Sequence, residues 1–310
     1  MKILITSIGT TTGVNLIRYF KKLNQTVIGT DINDYGLTAG SQLVDKFVKV
    51  PLAIESEYFI AICNIIRDEK VDVIIPINDI EVYILSKRIS EIPCECIIPE
   101  TKTIEILRDK LVCNKKMSEI GVPVPEEIKS DLVYEKRILR DRIGVGSKGI
   151  KVIEAGSPAP VYDEEEKFLQ KFITGEEYTI DILADRKGKP IYIVPRRRIE
   201  VKSGVATKVA IVEEDKLIMY AKKILDKFCI PGFSNIQFIK DKEGKYWFIE
   251  VNYRFSGCGA ATLAATEGYL NEFIGIVQGD KTSDNINQNV KWNSIVTRYY
   301  EEILYENSIS

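Results

Sequence analysis

Short apolar runs alternate with stretches of helical periodicity through the first hundred residues, and this alternation restricts the fold more than any other feature of the chain. Residues 2–6 form an apolar run, followed by a Gly/Thr loop at 9–13. Residues 14–22 place Val14, Ile17 and Phe20 on one helical face. A second apolar run, 26–30, ends at Asp31. Residues 59–69 then read as helix, 71–76 as strand, 81–89 as helix and 95–98 as a short strand. Strands joined through helices pair in parallel by right-handed crossovers. The expectation is a parallel α/β unit over residues 1–100.

Past that point the pattern changes. Residues 107–120 predict one helix, stopped by Gly121 and the Pro123/Pro125 pair. Residues 137–139 and 150–153 read as strands flanking a glycine loop. Further strands are expected at 179–183, 191–194, 208–212, 235–239 and 246–251, with a helix at 215–227. Strands interleaved with one helix suggest an α+β region built on an antiparallel sheet. The spacing divides the chain into 1–100, a small lobe at 101–184 and a larger lobe at 185–310.

Composition removes several kinds of chemistry. A formal net charge of −2 offers no argument for a nucleic-acid partner. No apolar stretch reaches the roughly 18 residues of a membrane span, and the start reads as a strand, not a signal peptide. The six cysteines lack the spacing of a zinc site or a redox pair, which fits buried thiols in a reducing cytoplasm. Histidine is absent. That excludes a Ser-His triad, a His-ligated zinc and a histidine general base. Carboxylates, amides, lysines, arginines and bound cations are left to carry the chemistry.

Three segments hold suitable residues. The first, 140–150, has Gly144, Gly146 and Gly149 with Ser147 and Lys148 among them. Its backbone N–H groups can approach phosphate oxygens with no Cβ in the way, though an ordinary hairpin turn reads equally well. The second, 168–178, offers the Gln170 amide and the main chain of Lys171 and Ile173 to an adenine edge, and Glu177 to ribose hydroxyls. Alone it is an ordinary strand and turn. In the third, Glu250, Asn252 and Arg254 are spaced by two and share one strand face, with Gln237 on the neighbouring strand. Hard oxygen ligands suit magnesium bridging ATP phosphates. Arg254 supplies a fork for a developing negative oxygen. The alternative is a polar edge-strand face.

In this order the segments resemble the ATP-grasp superfamily, nearest to its carbamoyl-phosphate-synthetase-like branch of small amino-acid and peptide ligases, over nearly the whole chain. Asp109-Lys110, followed by Gly121-Val122-Pro123-Val124-Pro125, is similar to the family's entry into the nucleotide-binding lobe. The resemblance implies an ATP-grasp fold of two lobes behind an N-terminal parallel α/β pre-ATP-grasp domain. It implies that Lys110 and Arg140 contact the nucleotide and that Gly146, Ser147 and Lys148 close over its phosphates. Gln170, Lys171 and Ile173 would form the adenine hinge, and Glu177 would hold the ribose. Gln237, Glu250 and Asn252 would take the metal, with Arg254 at the acyl-phosphate oxygens and Arg197 and Arg198 facing phosphate and substrate. The family usually has lysine where Arg140 stands.

The implied activity is an ATP-dependent, ADP-forming ligation through an acyl phosphate. It would use Mg2+, or Mn2+ in its place, and small-molecule carboxylate and amine substrates. The resemblance implies no nucleic-acid or membrane partner and admits a homodimer. Three alternatives stand beside it. One is an acyl-phosphate-forming phosphotransferase of the carbamoyl-phosphate kind, and another is a non-catalytic nucleotide-binding protein. The third is a nicotinamide enzyme using the 9–13 loop, which has only two glycines of a dinucleotide fingerprint.

Overall fold

The N-terminal alternation folds into a five-stranded parallel sheet. The computed structural model describes residues 1–129, 135–144, 149–202, 204–279 and 285–306. Strands β1 (Lys2–Ile5), β2 (Thr26–Asp31), β3 (Lys46–Lys49), β4 (Val73–Ile75) and β5 (Glu95–Cys96) lie in the order β3-β2-β1-β4-β5. Every neighbouring pair is parallel. Helices α1 (Thr11–Lys22), α2 (Ala39–Leu43), α3 (Tyr58–Glu69) and α4 (Asp79–Ser86) lie along the connections. Thr10 caps α1 by accepting from the Gly13 N–H, and Leu16, Ile17 and Phe20 bury its inner face.

Gly13 answers to packing. A Cβ at that position would stand 2.6 Å from Ile8 Cα. Asp31 closes the same loop, accepting from the Gly9 N–H at 2.6 Å and from Asn33. The glycines that imitate a dinucleotide fingerprint thus serve the strand-to-helix turn itself.

The single helix expected over 107–120 is two. Helix α5 (Thr101–Arg108) stops at Asp109, and α6 (Lys110–Glu119) begins beyond it. The Asp109 carboxylate accepts from the N–H groups of Leu111 and Val112 at 3.0 and 3.1 Å. Aspartate satisfies the first turn of a new helix better than it continues an old one. The apolar periodicity masked that break. Arg142 Nη2 donates to Asp109 Oδ2 at 2.6 Å. The start of α6, and Lys110 with it, is thereby tied to the next sheet.

That sheet is small and antiparallel: β6 (Arg137–Asp141), β7 (Lys151–Ile153) and β8 (Lys167–Lys171), in the order β7-β6-β8. The expected strands do flank the glycine loop. At its far end Gly149 has φ +76°, and a Cβ there would lie 1.9 Å from Asp141 Oδ2.

The third sheet has six antiparallel strands. They are β9 (Glu176–Ala184), β10 (Pro190–Lys202), β11 (Val205–Ile211), β12 (Gly232–Lys240), β13 (Tyr246–Asn252) and β14 (Ile295–Thr297), in the order β13-β12-β9-β10-β11-β14. Helices α7 (Asp215–Lys227), α8 (Gly259–Ala265) and α9 (Tyr269–Gln278) accompany them. By sheet, the chain changes at residues 172–175, not at the expected boundary between 184 and 185, because β9 lies inside the six-stranded sheet. Two large cores each combine N-terminal and C-terminal residues. One holds Leu4, Ile62, Ile182 and Phe238, and the other holds Ile5, Phe20, Val194 and Phe273. The small sheet has its own cluster of Leu139, Ile153 and Leu169. Among the described residues no helix is long and apolar enough to cross a membrane.

Candidate functional site

Strands β12 and β13 pair so that Gln237 stands opposite Glu250 and Asn235 opposite Asn252. Glu250 Oε1 accepts from Gln237 Nε2 at 3.0 Å and from Asn252 Nδ2 at 3.2 Å. Asn252 Nδ2 also reaches Asn235 Oδ1 at 3.2 Å. The second carboxylate oxygen meets a cation from the other lobe: Arg140 Nη2, on β6, is 3.8 Å from Glu250 Oε2. Arg140 is buried, and burial lowers its pKa while the Glu250 charge opposes the fall. Its Nη1 donates to Gln170 Oε1 at 3.5 Å, and its Nε is buried without a partner. A buried guanidinium with an orphaned donor is a costly arrangement until an anion completes it.

Beside this cluster lies a cavity of about 200 Å³, lined by Lys110, Glu250, Asn252, Tyr253, Leu107 and Gly144 and, from the N-terminal unit, by Asp79. Lys110 Nζ donates to the Gly144 carbonyl at 3.0 Å. Burial pushes the Lys110 pKa down, and Glu250 partly restores it. Arg254, just past β13, donates from Nε to Asp79 Oδ2 at 2.8 Å. Lys110 and Arg140 thus come from separate segments toward the Glu250 carboxylate, while Arg254 is held by Asp79, a residue of the cavity wall.

The remaining expected residues divide. Strand register puts Gln237 opposite Thr179, and Thr179 opposite Arg196, so these share the Glu250 face. With period two, Arg198 lies on that face and Arg197 on the other. Arg197 accordingly pairs with Glu176 at 2.6 Å, away from the site, which corrects its expected placement toward phosphate. Arg198 pairs with Glu177 at 2.6 Å on the site's face, and burial lowers its pKa. Arg196, which the sequence reading passed over, is fully buried against Asp181 at 2.8 Å and donates to Ser256 Oγ at 2.7 Å.

Both ends of the Gln170 amide are engaged within its own lobe. Its Nε2 donates to the Pro125 carbonyl at 3.0 Å while its oxygen accepts from Arg140, so its reach toward an adenine edge is corrected to a buried link within the lobe. The Lys171 N–H is taken by the Glu126 carbonyl at 2.9 Å. Ile173 lies between β8 and β9, half-buried. Gly146, Ser147 and Lys148 fall outside the described residues.

The donor set at Glu250 fits magnesium. Among the described residues no three His, Cys, Asp or Glu side chains gather around a common point. One carboxylate and two amide oxygens, reached by rotating the amides, make a hard-oxygen set. Magnesium commonly takes one or two protein carboxylates and fills its shell with phosphate and water. Asp79 and Tyr253 escaped the sequence reading. A signal for Asp79 was present: it follows the carboxyl end of β4, where open parallel sheets place their ligand crevices. Asn78 caps α4 there by accepting from the Ile80 N–H at 2.9 Å.

Two family descriptions match the chain: "ATP-grasp in the biosynthetic pathway with Ter operon" over residues 163–296, and "PylC-like, N-terminal domain" over residues 3–97. Among curated proteins, a D-alanine–D-alanine ligase of Pseudomonas fluorescens is 24% identical over 163 residues, 47% of this chain and 46% of its own. One from Neisseria gonorrhoeae is 26% identical over 172 residues, 46% of this chain and 56% of its own. The chain therefore matches about half the length of these relatives. Among solved structures, biotin carboxylase of Campylobacter jejuni superposes with a TM-score of 0.70 at 16% identity, covering 95% of this chain and 74% of its own. N5-carboxyaminoimidazole synthetase of Staphylococcus aureus gives 0.70 at 14% identity, covering 96% and 79%.

Proposed function

We propose that this chain, which belongs to the ATP-grasp superfamily by its family matches and its fold, is an ATP-dependent, ADP-forming ligase joining a small carboxylate to an amine or another nucleophile. The observation that carries the reading is the meeting of Arg140, from the small sheet, with Glu250, Gln237 and Asn252, from the large one. A buried, under-satisfied guanidinium suited to phosphate, 3.8 Å from the carboxylate of a magnesium-type donor set, supports this reading.

In this reading Lys110 and Arg140 hold the nucleotide phosphates, and Glu250, Asn252 and Gln237 hold Mg2+. Bound there, the metal would neutralise phosphate charge. A carboxylate oxygen of the substrate attacks the γ-phosphorus and ADP leaves. Arg254 offers donors where negative charge builds on the transferring group. The nucleophile then attacks the acyl carbon and expels inorganic phosphate. Catalysis rests on positioning and charge, and no covalent enzyme intermediate is needed. That agrees with a chain that has no histidine.

The test is carboxylate-dependent ADP formation with hydroxylamine as the trapping nucleophile. Bicarbonate, the standard amino acids, D-alanine and short dicarboxylates form the panel. Hydroxamate formed only with MgATP and one carboxylate class supports the ligase. An acyl phosphate accumulating without any nucleophile would favour a phosphotransferase. Nucleotide binding with no turnover across the panel would overturn the reading.

A further inference from the structure

Asp79, which lines the cavity, and Arg254 are 175 positions apart, yet their side chains meet. Asp79 opens α4 in the N-terminal parallel unit, and its side chain is 13% exposed. Arg254 follows β13, and its side chain is 20% exposed. Two different atoms of the guanidinium are held. Nε donates to Asp79 Oδ2 at 2.8 Å, and Nη1 donates to the Phe255 carbonyl at 3.2 Å. The Arg254 carbonyl in turn accepts from Asn235 Nδ2 at 3.2 Å, which anchors the backbone to the strand carrying Gln237. Nη2 makes no hydrogen bond to the described residues. A planar fork held at Nε and Nη1 has no freedom left in the direction of Nη2. Asp79 suits the part: it lies in the first turn of a helix, where the dipole favours a carboxylate.

We infer that Asp79 is a positioning residue of the transfer site, holding Arg254 so that its Nη2 edge is presented to the group undergoing transfer; this rests on the ligase reading above. The N-terminal unit then contributes to the reaction by aiming an arginine that belongs to another sheet. The ordinary alternative is a partly exposed ion pair of small energetic value that merely joins two units.

The variants are Asp79→Ala, Asp79→Asn, Arg254→Ala and the Asp79→Ala/Arg254→Ala double, all in the full chain. The readouts are MgATP affinity by calorimetry and hydroxamate kcat with the carboxylate accepted by the wild type. Asp79→Ala should lower kcat by roughly tenfold or more while MgATP affinity stays within about twofold, because orientation errors act on the reacting geometry. Asp79→Asn should recover much of the loss, since its amide oxygen still accepts from Nε. The double variant should be no slower than Arg254→Ala alone. Unchanged kcat in Asp79→Ala, or losses that multiply in the double variant, would overturn the assignment.

A separate readout covers the case in which the wild type forms no hydroxamate and the ligase reading itself fails. The Arg254 Nε–H resonance in arginine-labelled protein, identified by its loss in Arg254→Lys, should exchange slowly in wild type and Asp79→Asn and rapidly in Asp79→Ala. Equal exchange in all three would sink the inference. Asp79→Ser, too short to reach Nε, replaces Asp79→Ala should that variant not fold.

Discussion

Glu250 has both carboxylate oxygens engaged, one by two amides and the other by a guanidinium. Glu250→Gln keeps the shape and an acceptor oxygen but removes the charge. Turnover should fall by about a hundredfold or more, the scale of electrostatic and metal terms, with little change in melting temperature. Near-wild-type turnover would remove Glu250 from the chemistry. Arg140 is tested by binding instead. Arg140→Ala should weaken ATP by about 1.5–3 kcal/mol, the worth of a hydrogen bond to a charged group, with partial recovery in Arg140→Lys. Identical calorimetric affinities in the three proteins would mean that Arg140 serves Glu250 and Gln170 alone. At this scale the sequence was readable where period two applied: Glu250 and Asn252 share one strand, whereas Arg254, expected with them, lies beyond its end. It misled at Arg197, because adjacent strand residues face opposite ways and the expectation took two neighbours together. It was silent on the partners of Gln170, since a buried amide chooses its partners through tertiary contacts that lie 45 and 30 positions away.

Among the elements, the small sheet stands apart. Its buried cluster is Leu139, Ile153 and Leu169, while both large cores run through the parallel and six-stranded sheets together. Much of what ties it to the remainder is polar: Arg142 to Asp109, Lys110 to Gly144 and Arg140 to Glu250. Segments with few apolar contacts open at lower free energy than the core. Hydrogen exchange should therefore be faster in β6 and β8 than in β9 and β12. Adding magnesium and a non-hydrolysable ATP analogue should slow β6 and β8 selectively, because the nucleotide would bridge Arg140 to the large sheet. Uniform slowing, or none, would argue against nucleotide bound between the two sheets. The strands on either side of the glycine loop were legible from composition. The allegiance of β9 was not, because a strand's hydrophobic pattern records that it is buried and not which sheet it joins. The break at Asp109 was hidden for a different reason: apolar spacing continues across it, and only the local competition of a carboxylate for N–H groups reveals it.

At the scale of the whole molecule, α4 connects chemistry to stability. Asp79 and Glu81 are two residues apart and so point to nearly opposite sides of the helix. The first reaches Arg254, and the second enters the core. Glu81 is buried, with Oε2 accepting from Thr6 Oγ1 at 2.5 Å and Oε1 from the Tyr58 hydroxyl at 3.0 Å. Burial raises its pKa to about 6 from 4.5; the Thr6 and Tyr58 bonds oppose the rise, and the Asp31 charge adds to it. A carboxyl whose folded pKa lies above its unfolded value favours folding fully below the unfolded value. That contribution is lost as pH climbs through the folded value. The window therefore runs from about pH 4.5 to just above 6. Each pKa unit is worth about 1.4 kcal/mol, so the wild type should lose on the order of 2 kcal/mol across it. Glu81→Gln cannot titrate, and its hydrogen bonds impose a constant offset at every pH. Urea unfolding of both proteins between pH 4.5 and 7.5 should show the stability difference moving in favour of Glu81→Gln as pH rises. The steepest change should fall about midway between the unfolded value of 4.5 and the folded value of about 6, where the two states differ most in protons bound. Parallel stability curves would mean that the hydroxyl bonds from Thr6 and Tyr58 just offset burial and leave the folded pKa at its unfolded value. A difference moving the other way would place its folded pKa below 4.5 and reverse the balance of forces assigned to α4.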